Sequence, residues 1–103
     1  MVFVELTPFV AFRDAHWTDE ELAALQTFLL ASPDAGSLIR GAGGLRKLRW
    51  RVRGRGKRGG TRLIYYWDRP EDRIYLIYGY SKSDREDLTP SQLRVLRQLV
   101  RDM

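Results

Sequence analysis

Hydrophobic and polar positions run along this chain with two different periods. Residues 2–6, VFVEL, are short, apolar and β-prone, and predict a strand. Thr7 and Pro8 then mark a helix start, since Pro suits the first helical position and Thr can cap; a short helix carrying Phe9, Phe12 and Arg13 follows. Thr18 and Glu21 have capping-box spacing, and the acids around them favour the positive end of a helix dipole. Leu22, Leu25, Phe28 and Leu29 recur at helical spacing, and the run from Ser32 to Gly36 ends that second helix.

Past a glycine-rich loop, residues 41–44, the period becomes two. In LRKLRWRV, residues 45–52, Leu48, Trp50 and Val52 point one way and Lys47, Arg49, Arg51 and Arg53 the other. This predicts a strand with one core face and one wholly cationic face. In TRLIYYW, residues 61–67, Arg62, Ile64 and Tyr66 share one face, and Thr61, Leu63 and Tyr65 share the other. A turn around Pro70 leads to a further strand, RIYLIYGY, residues 73–80. Thr89 and Pro90 open a last helix, with Leu93, Leu96, Leu99 and Val100 as its apolar face. The expected architecture is α+β: one domain over residues 1–103, with a small antiparallel twisted sheet, two N-terminal helices and a C-terminal helix.

Charge sharpens this picture. The net charge is +5, and ten of the 18 Lys and Arg residues fall between Arg40 and Arg62, a span that holds no Asp or Glu. The rest of the chain is net acidic. A patch of this kind focuses field on an anionic partner, of which nucleic acid is the commonest. The absence of cysteine excludes disulfides, thiolate metal sites and a thiol nucleophile. With His16 as the one histidine, no zinc site is expected, nor any other cofactor, and His16 reads as a surface or half-buried side chain. No apolar run reaches membrane-spanning length, and MVFVELTPF lacks the features of a signal peptide, so a cytoplasmic protein is expected.

GRGKRG, residues 54–59, has the spacing of a dinucleotide-binding glycine motif, but a strand follows where a helix is required. A kinase-type glycine loop would need far more chain, and the Gly-Lys-Ser/Thr order of a Walker loop is missing. The stretch reads instead as a hairpin tip whose Arg55, Lys57 and Arg58, flanked by Arg51 and Arg53, grip phosphates. Arg46 adds to this basic set, and Tyr66 and Tyr80 are the tyrosines best disposed to stack on bases. Lys and Arg without a metal can stabilise charge on a phosphate, and RNA carries its own nucleophile, the 2′-hydroxyl.

Three stretches together, GGLRKLR, then GKRGGTRLIYY, then YSKSDREDL, resemble the RelE/ParE superfamily of bacterial toxins, and most closely its HigB-like, RelE-type branch. The resemblance spans roughly residues 41 to 89. It implies a toxin of a type II toxin–antitoxin system: a ribosome-dependent, metal-independent endoribonuclease that cuts mRNA in the ribosomal A site through 2′-hydroxyl attack. By the family pattern Lys47 and Arg49 are base and phosphate-contact residues, Arg62 stabilises the transition state, and Lys82 is acid or charge stabiliser. Leu88 stands about where some relatives carry a tyrosine, so Tyr66, Tyr80 or Lys47 would take over its role. The implied partners are a helix-turn-helix, HigA-like antitoxin, the ribosome and mRNA. Two alternatives stay open: a ParE-like toxin acting on gyrase, and a nucleic-acid-binding module without chemistry. The grouping of Lys47, Arg49, Arg62 and Lys82 favours the nuclease.

Overall fold

The computed structural model describes residues 1–50, 60–81 and 88–102. Five strands form one sheet in the order β1-β5-β4-β3-β2: β1 (Val2–Glu5), β2 (Ser37–Leu38), β3 (Leu45–Trp50), β4 (Thr61–Asp68) and β5 (Arg73–Ser81). Three helices complete the fold: α1 (Thr7–His16), α2 (Asp19–Ala31) and α3 (Pro90–Arg101). The α+β expectation holds, with two differences in the sheet. β2, a two-residue strand opposite Arg46 and Lys47, has too few residues to show any period in the sequence. β1 runs parallel to β5, with Val2 opposite Arg73 and Glu5 opposite Leu76, so the sheet is mixed rather than antiparallel. Short connections force β3–β4 and β4–β5 to be antiparallel; β1 is far from β5 in sequence, and no turn dictates its direction.

The helix starts follow local chemistry. α2 opens with a full capping box between Thr18 and Glu21, and α3 with another between Thr89 and Gln92. Each satisfies two amides that the first turn cannot, worth roughly 1 kcal/mol. At α1 the expected Thr7 cap does not form. Leu6 is the cap residue, its amide still donating to the Leu76 carbonyl at 2.9 Å, and Thr7 is already helical.

Helices cover both faces of the sheet. α1 and α2 bury Phe9, Leu25 and Leu29 against Leu48, Leu63, Tyr65, Ile74 and Leu76. On the other face α3 packs Leu96 against Leu45, Ile64, Tyr75, Ile77 and Tyr80. This corrects the wholly cationic face expected for β3, because Leu45 shares that face with Lys47 and Arg49 and is fully buried beneath α3's cluster. Only the part of the face beyond Leu45 is cationic.

A register shift in the β4–β5 ladder falls between Ile64 and Tyr65, where Ile77 is inserted on β5. Strict alternation would set Tyr75 on one face and Tyr78 and Tyr80 on the other. The bulge brings all three to the α3 face, opposite Tyr66, Ile64 and Arg62 respectively.

Candidate functional site

Two cross-strand rows define the uncapped part of the α3 face. Arg49 on β3 stands opposite Arg62 on β4, which stands opposite Tyr80 on β5. Beside it, Lys47 stands opposite Ile64, and Ile64 opposite Tyr78. Residues directly opposed across strands have Cβ atoms about 4.5–5.5 Å apart, so Lys47, Arg49 and Arg62 converge on one small area. Their exposures differ: Arg49 is exposed, Lys47 half-buried, and Arg62 only 7% exposed. Like charges facing each other across a ladder are unfavourable in themselves.

The tyrosines sort differently from the sequence expectation. Tyr80 is 4% exposed and belongs to the core cluster with Leu88 and Leu96, so its ring presents no face to a base. Tyr66 is half-buried but lies four residues along β4 from Arg62, about 13 Å at strand rise. It covers Gly44, where a Cβ would come within 2.9 Å of its Cε1, and its ring lies 6.2 Å from that of Tyr75. The half-buried tyrosine nearest the cations is Tyr78, in the Lys47 row, with its ring 5.9 Å from Tyr80. Alternation sets Tyr78 and Tyr80 on one face, and only the packing of α3 and Leu88 decides which of the two is buried. Leu88, at the position where some relatives carry tyrosine, is buried in the same core cluster.

Arg46 has a structural role as well. It projects to the opposite face from Lys47 and Arg49, and its guanidinium donates to the carbonyls of Asp34 (3.1 Å) and Gly36 (2.8 Å). Tyr65 holds the same loop from the buried side: the Gly36 amide donates to its hydroxyl (2.9 Å), which donates to the Pro33 carbonyl (2.8 Å). Burial pushes the Tyr65 hydroxyl above its ordinary pKa, and the Gly36 hydrogen bond offsets this in part. Arg46 therefore braces the entry to β2. Lys82, Arg51, Arg53, Arg55, Lys57 and Arg58 lie outside the described residues.

β2 ends opposite Arg46 and Lys47, so among the described residues no strand covers the edge of β3 beyond Lys47. A cleft of about 350 Å³ opens there, lined by Ala35, Ser37, Lys47, Leu48 and Arg49. No group of three His, Asp or Glu side chains suited to a metal occurs among the described residues, and none of their helices is long and apolar enough to cross a membrane. His16 is exposed on α1, its ring 4.9 Å from Phe12, away from the cationic face.

Comparison with known proteins agrees with this architecture. Residues 12–103 match the family model described as the RelE toxin of the RelE/RelB toxin–antitoxin system. The fold is similar to that of a doubly arginine-substituted variant of the E. coli toxin RelE in the free state, with TM-score 0.59 and 18% identity over 82% of this chain and 86% of that one. It is also similar to a chain of the intact E. coli RelBE toxin–antitoxin complex, with TM-score 0.55 and 18% identity over 78% of this chain and 94% of that one. At such identity the structures speak for the fold, and the family model, matching most of the chain, speaks for the family. The chain belongs to the RelE toxin family.

Proposed function

We propose that this toxin is a ribosome-dependent endoribonuclease that cuts mRNA in the A site. The observation that carries the reading is the juxtaposition of Arg49 and Arg62 across β3 and β4, with Lys47 beside them on the same face. The 2′-oxygen of one nucleotide attacks the adjacent phosphorus, the bond from phosphorus to the 5′-oxygen breaks, and a 2′,3′-cyclic phosphate is left. Lys47 takes the 2′-hydroxyl proton. Arg62, with its planar fork of donors largely withdrawn from water, stabilises the charge that grows on the non-bridging oxygens, and Arg49 holds the phosphate. Lys82 supplies the proton to the departing 5′-oxygen. Tyr78, rather than Tyr80, offers a ring on which a base can stack.

The HigB-like likeness in the sequence further suggests a helix-turn-helix antitoxin as partner and the cytoplasm as the place of action. A ParE-like gyrase inhibitor would have no use for a largely buried arginine opposed to a second one. Primer extension on mRNA translated by purified ribosomes tests the proposal. A ribosome-dependent stop inside the A-site codon is the expected result; full-length message in its presence contradicts it.

A further inference from the structure

A second cationic cluster lies on the same side of the sheet, at the opposite end of β3. The turn that leads into β3 carries three glycines at positive φ: Gly41 (69°), Gly43 (67°) and Gly44 (100°). Its own hydrogen bonds run from the Ala42 amide to the Ile39 carbonyl (3.1 Å) and from the Leu45 amide to the Ala42 carbonyl (3.3 Å). Among the described residues the amides of Gly41, Gly43 and Gly44 have no acceptor. With no Cβ at these positions, an anion can approach the three amides closely.

Arg97 of α3 reaches this turn. Its Nε lies 4.0 Å from where a Cβ on Gly43 would be, is buried, and has no hydrogen-bond partner. A buried guanidinium nitrogen without an acceptor is costly unless a ligand supplies one. Arg94, Arg97 and Arg101 recur at spacings of three and four, so they form one row along α3, flanking its apolar stripe. None of the three, nor exposed Arg40 at the start of the turn, has an ion pair among the described residues. The helix dipole accounts for Arg101 in the last turn but not for Arg94 or Arg97.

We infer that the Gly41–Gly44 turn, Arg40 and the Arg94–Arg97–Arg101 row of α3 form a second phosphodiester-binding site for RNA, separate from the Lys47–Arg49–Arg62 rows. Tyr66 closes it on the sheet side, over Gly44. RNA is favoured over an acidic peptide because the site shares a sheet face with the cationic rows, so one polyanion can run from one to the other. The glycines allow its backbone to approach the amides closely. The inference rests on the proposed RNA reading for its ligand, but its test does not depend on cleavage.

That test uses the full chain and a short unstructured RNA oligonucleotide, with binding measured across a salt series. Replacing all three arginines (Arg94→Gln, Arg97→Gln, Arg101→Gln) should weaken binding on the order of tenfold at low salt and reduce the log–log salt slope by about two. Arg94 and Arg101 are exposed, so the double variant lacking only these gives the same reading, with a slope smaller by about one, should Arg97→Gln disturb folding. In NMR titration with the same RNA, the amide resonances of Gly41, Gly43 and Gly44 should shift. Wild-type affinity and slope in the variants overturn the inference. So does unchanged RNA binding together with lost binding of poly-glutamate, which would assign the row to a protein partner. If wild-type protein fails to cut mRNA on ribosomes yet shows the slope change, the nuclease proposal falls and this site stands.

Discussion

Arg62 is 7% exposed and faces a second arginine across the ladder. Truncating it to alanine would open a hole as well as remove a charge, so the informative change is Arg62→Lys. Lysine keeps the charge and most of the volume but loses the planar donor fork. Cleavage on programmed ribosomes should slow by about a hundredfold, the scale of one lost transition-state donor, with the melting temperature within a few degrees of wild type. A folded Arg62→Lys that cuts at the wild-type rate removes the assignment. The tyrosines give a second test at this scale. Tyr80→Ala should cost roughly 3–4 kcal/mol of stability, as for other buried aromatics, while Tyr78→Ala should mainly weaken RNA binding, by about 1–3 kcal/mol. Urea unfolding and RNA titration of the two variants separate these effects. Alternation made Lys47 and Arg49 legible as one face of β3; their grouping with Arg62 came from the family resemblance, and the β3–β4 pairing sets Arg49 opposite Arg62. The bracing role of Arg46 was not legible, because charge composition does not reveal which cations spend donors on backbone carbonyls.

At the scale of elements, the helix boundaries were legible because capping chemistry is local: Thr18 with Glu21, and Thr89 with Pro90, mark the true starts. β2 and the bulge at Ile77 were not, since one is too short to be periodic and the other depends on what β4 presents. Long-range packing is hidden in the same way. α1 lies so close to β5 that a Cβ on Gly79 would fall 2.5 Å from Phe12 Cδ2 and 2.9 Å from its Cγ. The ring cannot yield without moving the helix. Gly79→Ala should therefore destabilise the protein by about 1–3 kcal/mol in urea unfolding, and Phe12→Leu in the same chain should recover part of the loss. An unchanged midpoint for Gly79→Ala would show that α1 does not sit on β5 at this point.

Across the whole molecule, two cores on opposite faces of one sheet hold a cationic surface in place. The core beneath α1 and α2 has a pH signature. Tyr65 is fully buried, and burial raises its pKa above the ordinary value near 10. The folded state thus holds this proton more tightly than the unfolded chain. Its contribution is complete below about pH 10 and is lost as pH rises through the folded-state value. Stability should fall in that alkaline range, and Tyr65→Phe, though less stable at neutral pH, should show a shallower decline. Equal slopes in urea unfolding at graded alkaline pH would contradict the burial argument. On the outer surface, the concentration of cations between Arg40 and Arg62 in an otherwise acidic chain pointed to a polyanion before any fold was known. The contribution of α3 was hidden, because a helix with Arg94, Arg97 and Arg101 reads as an ordinary amphipathic helix until Gly43 is found beside Arg97. The central claim is that Lys47, Arg49 and Arg62 act together on a phosphodiester. Primer extension on mRNA engaged by purified ribosomes, comparing wild type with Arg62→Lys, tests it most directly. The account predicts an A-site stop that requires ribosomes and fades in the variant; intact message with wild type, or equal cutting by both proteins, would contradict it.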